Sequence, residues 1–215
     1  MPKLRVHNFS VSLDGFAAGP RQSLENPLGK GGEELHGWMF RTAHWHEMVH
    51  LEEPGEEGVD NDFAVAGDDN IGAHIMGRNM FGPIRGDWGN DDWRGWWGED
   101  PPYHHDVFVL THYPHDDIPM QGGTTFHFVT DGIESALERA FAAADGRDVR
   151  VGGGASTVRQ YLAAGAIDHL HFVISPILLG TGERLFEDNA GALDGYECSQ
   201  FVGSEGVAHA VLTKR

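Results

Sequence analysis

The chain predicts an α/β fold: a mostly parallel sheet closed by an antiparallel hairpin. Three observations carry this expectation. From about residue 106 short apolar runs alternate with amphipathic stretches, one apolar run passes through three glycines into a helical stretch, and the last two apolar runs flank a short turn. Strands separated by helices pair in parallel, whereas two runs joined by a tight turn pair antiparallel. With 215 residues the chain has the size of one α/β domain, and a single domain over 1–215 is the expected organisation.

The elements follow in order. Leu4 to Leu13 alternates through Leu4, Val6, Phe9 and Val11, as a strand does, until Asp14-Gly15 breaks it. A glycine-rich loop runs from Gly19-Pro20 to about Gly32, helical character follows over Glu33 to Glu53, and Asp60 to Asp69 predicts a short helix. Ala73 to Gly77 is a buried strand, and Arg78 to Phe81 a helical turn stopped by Gly82-Pro83. Ile84 to His105, with Trp88, Trp93, Trp96, Trp97 and Pro101-Pro102, is too polar and glycine-rich for regular structure and predicts an ordered loop.

Asp106 to Thr111 and Thr125 to Val129 are strands; Ile133 to Ala144 is a helix with Ile133, Leu137 and Phe141 on one stripe. Arg147 to Val151 is a strand, Ser156 to Ala164 a helix ended by Gly165, and Ile167 to Ile174 a strand. The runs near Gly195 to Val202 and Gly206 to Thr213 form the hairpin.

Composition bounds the function. Apolar residues make up 40% of the chain and aromatics 10%, which is globular rather than disordered. No apolar run approaches the roughly 20 residues of a bilayer span. The first six residues carry no apolar leader stretch, and the single cysteine, Cys198, suits a reducing compartment, so a cytoplasmic location is expected. Cys198 itself is expected in the core. The net charge of −18 comes from 33 acidic and 15 basic residues, only three of them lysine (Lys3, Lys30, Lys214). Such a field fits adaptation to salt or an ordinary acidic protein. It disfavours nucleic acid and anionic membranes as partners, and it obliges any phosphate site to create its own positive potential.

That potential has a candidate source. Val149 and Val151 lead into Gly152, Gly153 and Gly154, and Ala155, Ser156 and Thr157 open a helix. Glycines admit a ligand close to the backbone, and a helix start offers N–H groups and a partial positive charge, which suits a pyrophosphate. Thr157 stands where the third glycine of G-x-G-x-x-G would be, so a tight turn without a ligand is the alternative. Arg78 is either a phosphate ligand or a surface residue at a helix start. Thr111 and His112 are either ligands or a strand exit, and Asp14 either a proton donor or a loop cap.

Five segments in order then resemble one family. They are Ser12 to Gly19, Ile75 to Phe81, Val109 to His112, Val151 to Thr157 and Ile174 to Gly182. The chain resembles the dihydrofolate reductase-like superfamily, of the type of the C-terminal reductase domain of the riboflavin deaminase-reductase. The resemblance implies a dihydrofolate-reductase-like three-layer sandwich, commonly a homodimer, that binds NADPH. It also implies hydride delivery to a C=N or C=O group of a small heterocycle, a pterin or a ribosylaminouracil-like compound as in riboflavin or folate metabolism.

Matched motif by motif, Gly152, Gly153, Gly154, Ala155, Ser156 and Thr157 would meet the pyrophosphate, and Gly77, Arg78 and Asn79 a second phosphate-binding helix start. Thr111 and His112 would lie by the adenosine 2′-phosphate, Ala17 and Ala18 by the nicotinamide, and Asp14 at the substrate end. Residues 20 to 60 and 84 to 105 are insertions relative to the family pattern, and that pattern carries more basic residues at the 2′-phosphate than Arg78 and His112 supply.

Two other classes stay open. One is a dinucleotide-binding protein without catalysis. The other is a zinc hydrolase: His46-Glu47-Met48-Val49-His50 spells H-E-x-x-H, whose histidines share one face of a helix, although Pro54 and Gly55 soon end that stretch. The expected role of this segment is a loop helix over the substrate pocket. The tryptophans of 84 to 105 either stack on a planar ligand or bury their loop.

Overall fold

The computed structural model describes residues 1–83, 85–89, 92–187 and 191–215. Along the chain run β1 (Leu4–Ser12), β2 (Phe16–Ala18), a 3-10 turn (Gly32–His36), α1 (Gly37–Phe40), α2 (Ala43–Met48), α3 (Val59–Asp68), β3 (Ile71–Gly77) and α4 (Arg78–Phe81). After the tryptophan-rich loop come β4 (Asp106–Leu110), β5 (Ile118–Pro119), a second 3-10 turn (Gln121–Gly123), β6 (Thr125–Val129), α5 (Ile133–Ala143), β7 (Asp148–Gly153) and α6 (Ala155–Ala163). The chain closes with β8 (His169–Ser175), β9 (Glu183–Arg184), β10 (Tyr196–Gly203) and β11 (Ala208–Lys214). The expected α/β architecture is the observed one. β2, β5 and β9, of two or three residues, are too short to show a periodicity. The loop expectation at Ile84, Asn90 and Asp91 lies outside the described residues. No helix among the described residues is long and apolar enough to cross a membrane.

Contacts divide the chain into two compact units. The first holds Met1–Arg5 and Asn70–Ile167. Its strands run in the order β7-β3-β4-β6-β5, parallel from β7 through β6, with β5 antiparallel at the edge. The start of β1 joins it: the amide of Lys3 donates to Asp148 Oδ1 at 2.8 Å and Arg5 pairs with Asp148 at 3.4 Å.

Helix and loop cover the two faces of these strands. Val107 and Val109 pack with Met76, Phe81, Trp88, Phe126 and Phe128. Phe108 points the other way, under Arg139 of α5. On α5 the expected stripe of Ile133, Leu137 and Phe141 is only half-buried, and Ala136, Ala140 and Ala144 are the enclosed positions. The reason is steric: the helix approaches β3 so closely that a side chain at Gly72 would run into the Ala144 carbonyl.

The second unit holds Val6–Asp69 and Asp168–Arg215, with strand order β10-β11-β8-β1 and a small β2-β9 pair. β8, β11 and β10 pair antiparallel, which is the expected hairpin with one more strand. Cys198 departs from expectation: it is exposed, on the edge strand β10 where the register shifts between Cys198 and Gln200. The helical stretch expected over Glu33 to Glu53 is also broken. Thr42 caps a fresh start by accepting the Trp45 amide, and the helix that follows ends at Met48.

Histidines form much of this unit's interior. The Asn8 amide donates to His171 Nδ1 at 3.1 Å, which leaves His171 Nε2 to donate to His209 Nδ1 at 3.1 Å and His209 Nε2 to donate to Asp60 Oδ1 at 2.8 Å. Phe63 stacks on both imidazoles. Burial lowers the His209 pKa against the opposing pull of Asp60. His36, whose ring is enclosed although the residue keeps some exposed surface, is pushed down to about 4 by burial.

Both groups fold in the neutral form. Their contribution is therefore complete above the ordinary histidine value of 6.5 and is lost as pH falls below it. Urea unfolding should show stability falling below pH 6.5, with His36 contributing at most about 3 kcal/mol between about pH 6.5 and 4. His36→Leu should flatten that limb; an unchanged limb in the variant would assign the acid sensitivity elsewhere.

Candidate functional site

In the first unit the carboxyl ends of three parallel strands lie side by side. β3 is central, flanked by β7 and β4, with Met76 opposite Gly153 and Gly77 opposite Leu110. Open parallel sheets bind ligands at the carboxyl ends of their strands, where the strand-to-helix turns gather.

The glycine turn leaves β7 through Gly153 at φ 139, a conformation that favours glycine, and the Gly153–Gly154 peptide is cis. A side chain at Gly152 would come within 3.0 Å of the Met80 methyl. α6 then starts from Gly154 without a capping side chain, and the Thr157 and Val158 amides return to the Gly154 carbonyl at 3.0 and 3.1 Å. Ala155 and Thr157 are buried and Ser156 is exposed. Thr157 fills the place of the absent third glycine by packing its hydroxyl on Gly77, where any side chain would collide with it and would lie 3.6 Å from the Gly154 nitrogen. The two phosphate-type turns expected from the sequence are thereby in contact.

Arg78, the first residue of α4, reaches across to β4. Its Nη1 donates to Thr111 Oγ1 at 3.4 Å, and its guanidinium carbon lies 3.0 Å from the centre of the Trp88 ring. Thr111 is buried at the strand end, while Asn79 and His112 are exposed. Trp88 was not singled out as a partner of Arg78 by the sequence, because the two meet only through the fold of an aperiodic loop.

Trp93 and Trp96 help to bury that loop, whereas Trp97 is exposed. Trp93 Nε1 donates to the Phe81 carbonyl at 2.9 Å and Trp96 Nε1 to the Met80 carbonyl at 3.0 Å, and the two rings meet edge to face.

In the second unit Asp14 organises a loop. Its Oδ1 accepts from the Ser12 hydroxyl at 2.6 Å and the Leu179 amide at 3.1 Å, and its Oδ2 from the Gly180 amide at 2.7 Å. The Ser12 hydrogen bond, aided by the two amides and partly opposed by burial, holds the carboxyl below its ordinary range. That geometry belongs to an ionised loop cap, not to a group that gives up a proton near neutral pH. Ala17 and Ala18 lie half-buried on β2, which pairs with β9. Arg184 on β9, another residue not marked by the sequence, donates to the Asp14 carbonyl at 3.0 Å and covers the Phe16 ring.

The H-E-x-x-H segment does not form the helical face that the zinc alternative requires. α2 stops at Met48, His50 has φ 56, and His46 turns Nδ1 to the Glu53 carbonyl at 2.7 Å and Nε2 to the Phe40 carbonyl at 3.2 Å. Among the described residues no three histidine, cysteine or carboxylate side chains are grouped to hold a metal ion.

The family described as RibD C-terminal domain matches residues 2–194. No curated protein matches the chain in sequence. A solved structure from Shewanella sp. PV-4, provisionally named a riboflavin biosynthesis protein, is 20% identical with a TM-score of 0.59, and the match covers 100% of this chain and 99% of that one. A diaminohydroxyphosphoribosylaminopyrimidine deaminase/5-amino-6-(5-phosphoribosylamino)uracil reductase from Thermotoga maritima is 14% identical with a TM-score of 0.56; the match covers 100% of this chain but 57% of that longer one. A pyrimidine reductase-like protein from Corynebacterium diphtheriae is 15% identical with a TM-score of 0.53, covering 100% and 92%. At these identities the likeness to the solved structures is one of fold.

The contact between the turns has a direct test. Gly77 has φ −81, open to any residue, so only the Thr157 hydroxyl bars a side chain there. Gly77→Ala should lower stability by about 1–3 kcal/mol, and adding Thr157→Ala should recover most of that loss in urea unfolding. Costs that simply add would show that the two turns do not depend on each other.

Proposed function

Because the chain belongs to the RibD C-terminal domain family, we propose that it is an NADPH-dependent reductase delivering hydride to a C=N or C=O group of a small, planar, nitrogen-rich heterocycle of the pterin or ribosylaminouracil kind. The observation that carries the reading is the uncapped start of α6 behind the glycine turn, set against Gly77 and the Arg78 helix start.

The residues present fit a dinucleotide. Gly152 and Gly154 keep part of their backbone at the surface, a side chain at Gly77 would collide with the Thr157 hydroxyl, and an uncapped helix start favours an anion. The amides of Gly153, Gly154, Ala155 and Ser156 would hold the pyrophosphate, with Thr157 setting the turn through its contact with Gly77. Arg78, with Asn79, Thr111 and His112, would hold the adenosine phosphate end. When bound, that group supplies the hydride.

The protein's own part is to bind, orient and exclude water, which is where most of the acceleration of a cofactor reaction arises. Asp14 acts here as an anchor for Leu179 and Gly180 at the substrate end, and the proton that completes the reduction comes from water.

Titration of the purified protein with NADPH should quench tryptophan fluorescence saturably in roughly the micromolar range, and NADPH should be oxidised in the presence of a dihydropterin or a ribosylaminouracil. Absence of saturation at millimolar cofactor would overturn the reading. Tight binding with no turnover on either class of heterocycle would favour a dinucleotide-binding protein instead.

A further inference from the structure

We infer that Trp88 is a positioning residue for Arg78, and that through it the loop following α4 sets the preference for a cofactor bearing a 2′-phosphate. The inference deepens the dinucleotide reading and rests on it.

The two residues close a ring of interactions. Arg78 lies over the Trp88 face at 3.0 Å and donates to Thr111 Oγ1 at 3.4 Å. Thr111 Oγ1 accepts the Tyr113 amide at 3.1 Å and donates to the Tyr113 carbonyl at 3.2 Å, and that same carbonyl accepts Trp88 Nε1 at 2.9 Å. Trp88 is itself fixed: it is 7% exposed, with Phe81, Phe128 and His115 packed edge to face around it.

Its ring face thus serves the guanidinium, and its N–H secures the segment after β4. A guanidinium seated on a ring keeps its N–H groups directed around its own edge, where a phosphate is recognised by the planar fork. Holding the long side chain in place beforehand removes most of the rotamer entropy that phosphate binding would otherwise cost.

The proposed function places the adenosine phosphate end of the cofactor at Arg78 and Thr111. The glycine turn is on the β7 side of β3, and Arg78 with Thr111 is on the β4 side. A pyrophosphate at the start of α6, with its adenosine directed toward β4, brings the ribose to Arg78. The reach is toward the ribose substituent and away from the α6 turn. Trp88 should therefore affect discrimination between the phosphate-bearing and the plain cofactor more than binding of dinucleotides in general.

Calorimetric titration with NADPH and with NADH provides the test, since removing Trp88 alters the fluorescence signal. Trp88→Leu should weaken NADPH binding about tenfold and leave NADH binding unchanged, whereas Trp88→Phe, which keeps an aromatic face, should retain most of the preference. Equal losses for both cofactors, or no loss for either, would overturn the role of Trp88 while leaving the dinucleotide reading standing. Wild-type protein that binds neither cofactor would overturn both.

If Trp88→Leu does not fold, the wild-type protein carries the test by NMR. The Arg78 side-chain protons, shifted by the Trp88 ring, should respond saturably to adenosine 2′,5′-bisphosphate and not to adenosine 5′-monophosphate. Identical responses to the two nucleotides would overturn the inference.

Discussion

The first unit depends on how closely two neighbouring parallel strands deliver their ends. β3 and β7 pair along their length, with a register shift where Ile75 and Met76 meet Val151 and Gly153, and both finish in residues without side chains. Gly77 can then lie directly against the Thr157 hydroxyl, and the turn after β3 touches the turn after β7. A methyl group at Gly77 would push the turns apart. Most of what the site offers follows from this contact: an uncapped helix start, glycine backbone beside it, and an arginine leaving the neighbouring turn.

That arrangement resolves an electrostatic difficulty. A chain with a net charge of −18 repels phosphates at long range, and salt screens that repulsion beyond a Debye length of about 10 Å. Close in, the field is set by what stands at the strand ends: the partial charge of α6 and the fixed guanidinium of Arg78.

The parts legible in the sequence are those encoded locally. Strand, glycines and helix occur within a few residues from Val149 to Val158, so the turn could be read directly, and the pairing of β10 with β11 follows from their short connection. Long-range partners could not be read. Asp14 meets Leu179 and Gly180 across 165 and 166 residues, and its spacing gave no sign that amides would hold its carboxylate.

Trp88 and Arg78 are near in sequence, but the loop between them has no period from which to derive a contact. The histidines of β8 and β11 registered only as an abundance, because their hydrogen-bonded chain exists only once the antiparallel strands are paired. The H-E-x-x-H letters left a zinc alternative open for the opposite reason: the pattern depends on a continuous helix, and here Thr42 and Met48 bound a helix of six residues.

In the proposed function a dinucleotide's pyrophosphate would rest on the amides of the glycine turn and the α6 start. Amide-resolved NMR of the isotope-labelled protein during NADPH addition tests it most directly. Gly153, Gly154, Ala155 and Ser156 should show large, saturable shifts with one common dissociation constant. Saturable binding that leaves those four amides unmoved and shifts others would contradict it.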